Sequence, residues 1–191
     1  MRKVFVGTVG YHFLTDYSIG PKLLPELKAM RWADGVDVDE CNWGPVAVVQ
    51  QMEAMTQPYN RVILLTASDM GRPMGEITLK RWCGGPATPE QVQGRINEGV
   101  TGVISVDNLL VIGQYFGIWP AEVIVVDVQP GAQESGDVLN PDVAKVVPQV
   151  KTLLQHLAHC DSGDLPVMSD VYVSDLDVNQ SYKFSAYMGG R

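Results

Sequence analysis

The sequence is short of cysteine, of basic charge and of long apolar runs, and each shortage closes off a class of function. Its three cysteines, Cys41, Cys83 and Cys160, stand far apart among 191 residues and form no C-x-x-C pair. That spacing makes neither a disulfide framework nor a zinc knuckle, and it suits a reducing, cytoplasmic setting. Only 14 side chains are basic against 22 acidic, a net charge of −8, and no run of Lys or Arg occurs. A general nucleic-acid binder needs clustered cations to neutralise phosphates, so that class is excluded. The longest apolar stretches, such as residues 62–65, fall far below the ~20 residues of a membrane span. Residues 1–7 are also too brief in their apolar part for a secretory signal. No G-x-G-x-x-G and no G-x-x-x-x-G-K-[ST] is present, which argues against dinucleotide or ATP binding.

What the chain does have is an alternation of β-branched runs and helical patterns. Strands are predicted over residues 3–8, 36–41, 60–66, 76–82 and 122–128. Helices are predicted over 19–31, 45–55, 89–98, 107–116 and 141–159. Thr88-Pro89-Glu90-Gln91 has the form of a capping box, and Gly117 and Asn140-Pro141 mark a helix end and a helix start. Strands alternating with helices predict an α/β three-layer sandwich, its mainly parallel sheet covered by helices on both faces. At 46% hydrophobic the chain can fill one such core. Residues 1–160 read as this domain. Residues 161–191 read as a C-terminal extension that lies on the domain, on a partner or in solvent.

In a sheet of this kind ligands bind beyond the carboxyl ends of the strands. The loop after the first strand runs Gly10-Tyr11-His12-Phe13-Leu14-Thr15-Asp16-Tyr17-Ser18-Ile19-Gly20. It resembles the opening of the hydrogenase maturation proteases, endopeptidases that trim the C-terminus of the nickel–iron hydrogenase large subunit. Gly10, Phe13, Leu14, Asp16, Ile19 and Gly20 fit that pattern. Asp39 with Gly44, Asp69 in the third-strand exit, Pro73 with Gly75, Gly117 with Pro120, and Asn140-Pro141-Asp142 continue it in register. The resemblance spans residues 3–158 and implies the same α/β fold.

The family holds its metal with two carboxylates and a histidine. Carried over position by position, these become Tyr17, Thr66 and Gly102, and the family's loop Asn becomes Tyr11. A nickel or zinc site needs imidazole, thiolate or carboxylate donors, so the metal ligands are replaced and no metal or cofactor is expected. Asp16, Tyr17, Asp39, Thr66, Asp69 and Gly102 remain as candidate binding residues. His12, Asp16, Asp39, Glu40 and Asp69 either rebuild an acid–base or metal site or are solvated loop groups. Asp16 alternatively caps the first helix. His156 and His159 share a helix face as possible ligands, or complement that helix's C-terminal dipole. Cys41 reads as a small buried thiol, with no histidine placed to activate it. Trp43, Trp82 and Trp119 are either core or a contact surface.

The resemblance therefore implies a maturation protease-like protein that has kept the fold and lost the catalytic ligands. It leans away from enzyme activity and toward binding a protein partner during assembly. That partner would be a nickel–iron hydrogenase large subunit, its precursor or a related metalloenzyme subunit. The alternative is an active nickel-recognising endopeptidase that trims such a precursor.

Overall fold

A computed structural model describes residues 2–176 other than 43 and 56. The elements follow as β1 (Val4–Thr8), α1 (Ile19–Ala29), β2 (Val36–Glu40), α2 (Pro45–Glu53), β3 (Arg61–Ala67), β4 (Ile77–Gly84), α3 (Pro89–Val100), α4 (Val106–Phe116), β5 (Glu122–Val128), α5 (Pro141–His159) and β6 (Ser169–Tyr172). One six-stranded sheet has the order β2-β1-β3-β5-β4-β6. It is parallel except where β4 runs antiparallel to β5, and β6 then lies parallel to β4. The α/β three-layer fold expected from the sequence is present.

The two faces follow from the period of two along each strand. Phe5, Val62, Leu64, Val123 and Val125 face one way, against Val48 of α2, Val92 of α3 and Leu109 and Leu110 of α4. Val4, Val6, Ile63, Leu65, Ile124 and Val126 face the other way, against Leu23 and Leu27 of α1 and Val150, Leu154 and Leu157 of α5. β3 over residues 62–65 and β5 over residues 123–126 are apolar without a break because both of their faces are covered. Each large aliphatic side chain buried here contributes about 1.5–3 kcal/mol of transfer free energy.

The helix boundaries have local causes. Thr88 Oγ1 accepts the Gln91 amide at 3.2 Å, and Gln91 Oε1 accepts the Thr88 amide at 2.9 Å, which completes the capping box of α3. Gly117 closes α4 in a left-handed conformation, φ 70°. α5 runs on through Pro148. Its C-terminal end is tied to the sheet by Arg61, which is fully buried. Arg61 Nε donates to Glu122 Oε2 at 2.7 Å, and Nη1 donates to the carbonyls of Leu157 and Cys160. Among the described residues no helix is long and apolar enough to cross a membrane.

Candidate functional site

The carboxyl ends of β1, β3 and β5 open onto three loops, and the sequence-predicted residues Asp16, Tyr17 and Asp69 meet there. Asp16 lies in a 3-10 turn (Thr15–Ser18) ahead of α1 and is 1% exposed. It does not cap α1, whose N-cap is Ser18. Its two oxygens instead accept amides from the chain after β5: Gly131 at 2.9 Å and Asn140 at 2.7 Å. Gly131 keeps this approach close: a Cβ there would stand 2.9 Å from Cε at the flexible end of Met74 and 3.1 Å from Asp16 Oδ2. Tyr17 is partly buried, and its phenol pKa is raised by burial first and then by the charges of Asp69 and Asp16. That moves it further from the phenolate a metal would need.

Asp69 Oδ1 accepts Gln129 Nε2 at 2.9 Å and the Gly71 amide at 3.1 Å. These hydrogen bonds hold its carboxyl below the usual range. Gln129 in turn accepts the Met70 and Arg72 amides, so one glutamine pins the whole β3 exit loop. Thr66 is buried within β3, opposite Asp127 in the parallel register.

Gly102 sits apart from that group, on an exposed turn between α3 and α4 with φ +87° and open space around it. It lines a cavity of about 230 Å³ together with Val9, Asn42, Gly44 and Ser105. Asn42 Oδ1 accepts the Gly10 amide at 3.0 Å, while its Nδ2 is buried without a partner among the described residues. Tyr11 spans from the first loop to this wall, its hydroxyl accepting the Ile104 amide at 2.9 Å. Asp39 is not part of either grouping. It lies on edge strand β2 and accepts Lys28 Nζ of α1 at 2.9 Å and the Glu40 amide at 2.9 Å. Burial pushes its carboxyl up, but these bonds and the Lys28 charge leave it below its ordinary value.

The other candidates disperse. His12 is exposed, with Nε2 3.5 Å from Glu40 Oε2. His159 Nε2 accepts the Ala33 amide at 3.1 Å, at the other end of the molecule from the loops. Cys41 is buried, and burial, then the charges of Asp39 and Glu40, push its thiol up to about 12, so it offers no thiolate at neutral pH. Trp82 is core, and Trp119 packs over Gly113 with its indole N–H on the Leu110 carbonyl at 2.9 Å. Trp43 lies outside the described residues. A resident nickel or zinc does not fit the positions that the resemblance supplies, namely a phenol, a buried hydroxyl and a glycine. Among the described residues no three His, Cys, Asp or Glu side chains converge to hold a metal ion.

Sequence reasoning missed the most heavily bonded charge near these loops. Asp127 of β5 is fully buried. Its Oδ1 accepts the Ser68 amide at 2.9 Å, and its Oδ2 takes Lys80 Nζ at 2.6 Å and Arg72 Nη2 at 3.1 Å. Arg72 Nη1 also bonds Thr78 Oγ1. A sequence signal did exist: one acid in the otherwise apolar run Val123–Val128, and Lys80-Arg81 inside a strand. A buried charge must be partnered, and basic residues set into a neighbouring strand are candidates to do it.

The fold is that of the hydrogenase maturation endopeptidases. The hydrogenase maturating endopeptidase HybD from E. coli superposes with a TM-score of 0.58 at 19% identity, covering 81% of this chain and 90% of that one. A hydrogenase 3 maturation protease gives 0.60 at 19% identity, covering 88% and 96%. The [NiFe] hydrogenase maturation protease HycI from Thermococcus kodakarensis gives 0.56 at 13% identity, covering 83% and 93%. A scan against protein-family models found no match, and a search of curated proteins found none.

Proposed function

We propose that this protein is a non-catalytic relative of the hydrogenase maturation proteases that binds a hydrogenase large subunit, its precursor or a related metalloenzyme subunit during assembly. The observation that carries this reading is the use of the first-loop charge. Asp16 is spent on two loop amides, its neighbour Tyr17 is a phenol, and the remaining ligand positions are Thr66 and Gly102. What is left is a set of hydrogen-bonded loops at the carboxyl ends of the strands, a face that receives a polypeptide and does not cut it. Tyr17, Asp69 and Gly102 belong to the face that meets the partner. Asp16 and Thr66 set its shape, and Asp39 borders it. The reading treats residues 161–191 as an extension of the domain and places the protein in the cytoplasm. The test is retention of a nickel-loaded large-subunit precursor on the immobilised protein. Retention weakened by Tyr17→Ala or Asp69→Ala supports the reading, and no retention contradicts it.

One arrangement favours the alternative, an active endopeptidase that recognises nickel held by its substrate. Asp69 lies close enough to Tyr17 to act on its phenol, so carboxylate charge persists among these loops. Calorimetry with nickel or zinc separates the two. Micromolar binding abolished by Asp69→Ala supports the alternative, and its absence supports the binding protein.

A further inference from the structure

A second cavity, of about 200 Å³, lies between the exit of β3, strand β4, the first turn of α4 and the chain that follows β6. None of the six candidate binding residues lines it. Trp82, Leu110, Leu176 and further aliphatic side chains make it largely apolar, and its polar groups are Ser68, Lys80, Asp107 and Asp175. The last wall is firmly placed: Val173 is 1% exposed against the core, and Arg95 donates to the Leu176 carbonyl at 3.4 Å.

The charges in this cavity are arranged unusually. Asp107 follows the N-cap of α4, and its amide donates to Ser105 Oγ at 3.2 Å. Its carboxylate accepts no hydrogen bond from any described residue. Burial is the largest influence on it and raises its pKa; Arg95 and Lys80 pull it down, and Asp127 and Glu98 push it up. Lys80 faces the same cavity but does not pair with Asp107. One of its ammonium hydrogens goes to Asp127 Oδ2 at 2.6 Å, which leaves two. Asp175 is already engaged, accepting the Tyr172 amide at 2.8 Å. An acid and a base thus share one apolar-walled space without bonding to each other; both are partly buried, and each keeps hydrogen-bonding capacity that the described residues do not fill.

We infer that this cavity binds a free apolar α-amino acid, its ammonium on Asp107, its carboxylate on Lys80 and Ser68, and its side chain against Trp82, Leu110 and Leu176. The charge pattern selects this class. Lys80 is already paired with Asp127, but a simple cation would leave its two remaining ammonium hydrogens unused and a simple anion would leave Asp107 without a partner, whereas a zwitterion uses both. A polypeptide end carries one of the two charges and not the other beside it. The size agrees, since the space falls below the ~300–1,000 Å³ of pockets for drug-sized ligands. It holds a molecule of leucine's size and excludes nucleotides. The ligand is enclosed in part by the chain after β6, which gives that segment a role in completing the site. This inference is independent of the partner reading and stands or falls separately.

The experiment is calorimetric titration of the full chain with L-leucine, L-methionine and L-valine, against isoamylamine and 4-methylpentanoate as the two half-ligands. The amino acids are expected to bind, and each half-ligand to bind at least about tenfold more weakly, as loss of a charged hydrogen bond implies. Asp107→Asn keeps the side-chain shape and is expected to lose at least about tenfold for the amino acid. A titration followed by NMR uses the unaltered protein, and L-leucine is expected to shift the Trp82 indole N–H resonance. No amino-acid binding at millimolar concentration, half-ligands binding as well as the zwitterion, or shifts confined to other residues would overturn the inference.

Discussion

Asp16 and Asn140 are 124 residues apart in the chain and 2.7 Å apart in the fold, carboxylate oxygen to backbone amide. The bond fastens the first loop to the N-cap of α5, and the second oxygen fastens it to Gly131. A carboxylate held in this way is a structural staple between the loop after β1 and the chain after β5.

Removing the staple leaves two part-buried amides without their acceptor. Asp16→Ala is therefore expected to lose roughly 1.5–3 kcal/mol of stability, the range for hydrogen bonds to charged groups. Urea denaturation of the variant measures this. A change near zero would mean that the loops hold each other without the carboxylate.

Glu122 gives the protein an acid-sensitive element. Burial pushes its carboxyl up, but hydrogen bonds from Ser162 and Arg61 and the charges of Arg61 and Arg2 leave it below its ordinary value. A depressed folded-state pKa adds stability above the unfolded value and loses it as pH falls through the folded value. The urea midpoint should therefore drop below the ordinary glutamate range, and Glu122→Gln should flatten that part of the profile. An unchanged profile would remove Glu122 from the account.

Asp107 acts in the opposite sense. Its folded pKa is raised, so the stability it permits is fully present below the ordinary aspartate range and is lost as pH rises through the raised value. Asp107→Asn should thus be more stable than the parent at neutral pH, with the difference shrinking in acid. Thermal melts at two pH values test this. A variant less stable at neutral pH would show that the carboxylate is satisfied within the fold.

Cys41 and Cys83 should separate cleanly under a thiol reagent. Cys83 is exposed, while Cys41 is buried with its thiol raised to about 12. Labelling of the native protein should modify Cys83 and spare Cys41 until denaturant is added. Fast labelling of Cys41 would contradict the packing of β2 against β1.

Much of this architecture was legible because it follows from local chemistry. The apolar runs of β3 and β5 suit strands covered on both faces, and Thr88 with Gln91 announces the start of α3 from four residues. The site was legible in part, since Asp16, Tyr17 and Asp69 sit on loops that the strand order brings together. What was hidden depends on distance along the chain. The partners of Asp16 lie 115 and 124 residues away, and those of Asp127 lie 47, 55 and 59 away. No periodicity encodes such pairs. Nothing in Ser169–Tyr172 announces β6 either: it is four residues long and mostly exposed, and it pairs only along the β4 edge.

The central claim is that the chain binds a maturing subunit without cutting it, and mass spectrometry of a nickel-loaded hydrogenase large-subunit precursor incubated with the purified protein tests it most directly. The account predicts an intact precursor C-terminus in a complex that survives gel filtration. A precursor shortened at its C-terminus would contradict it.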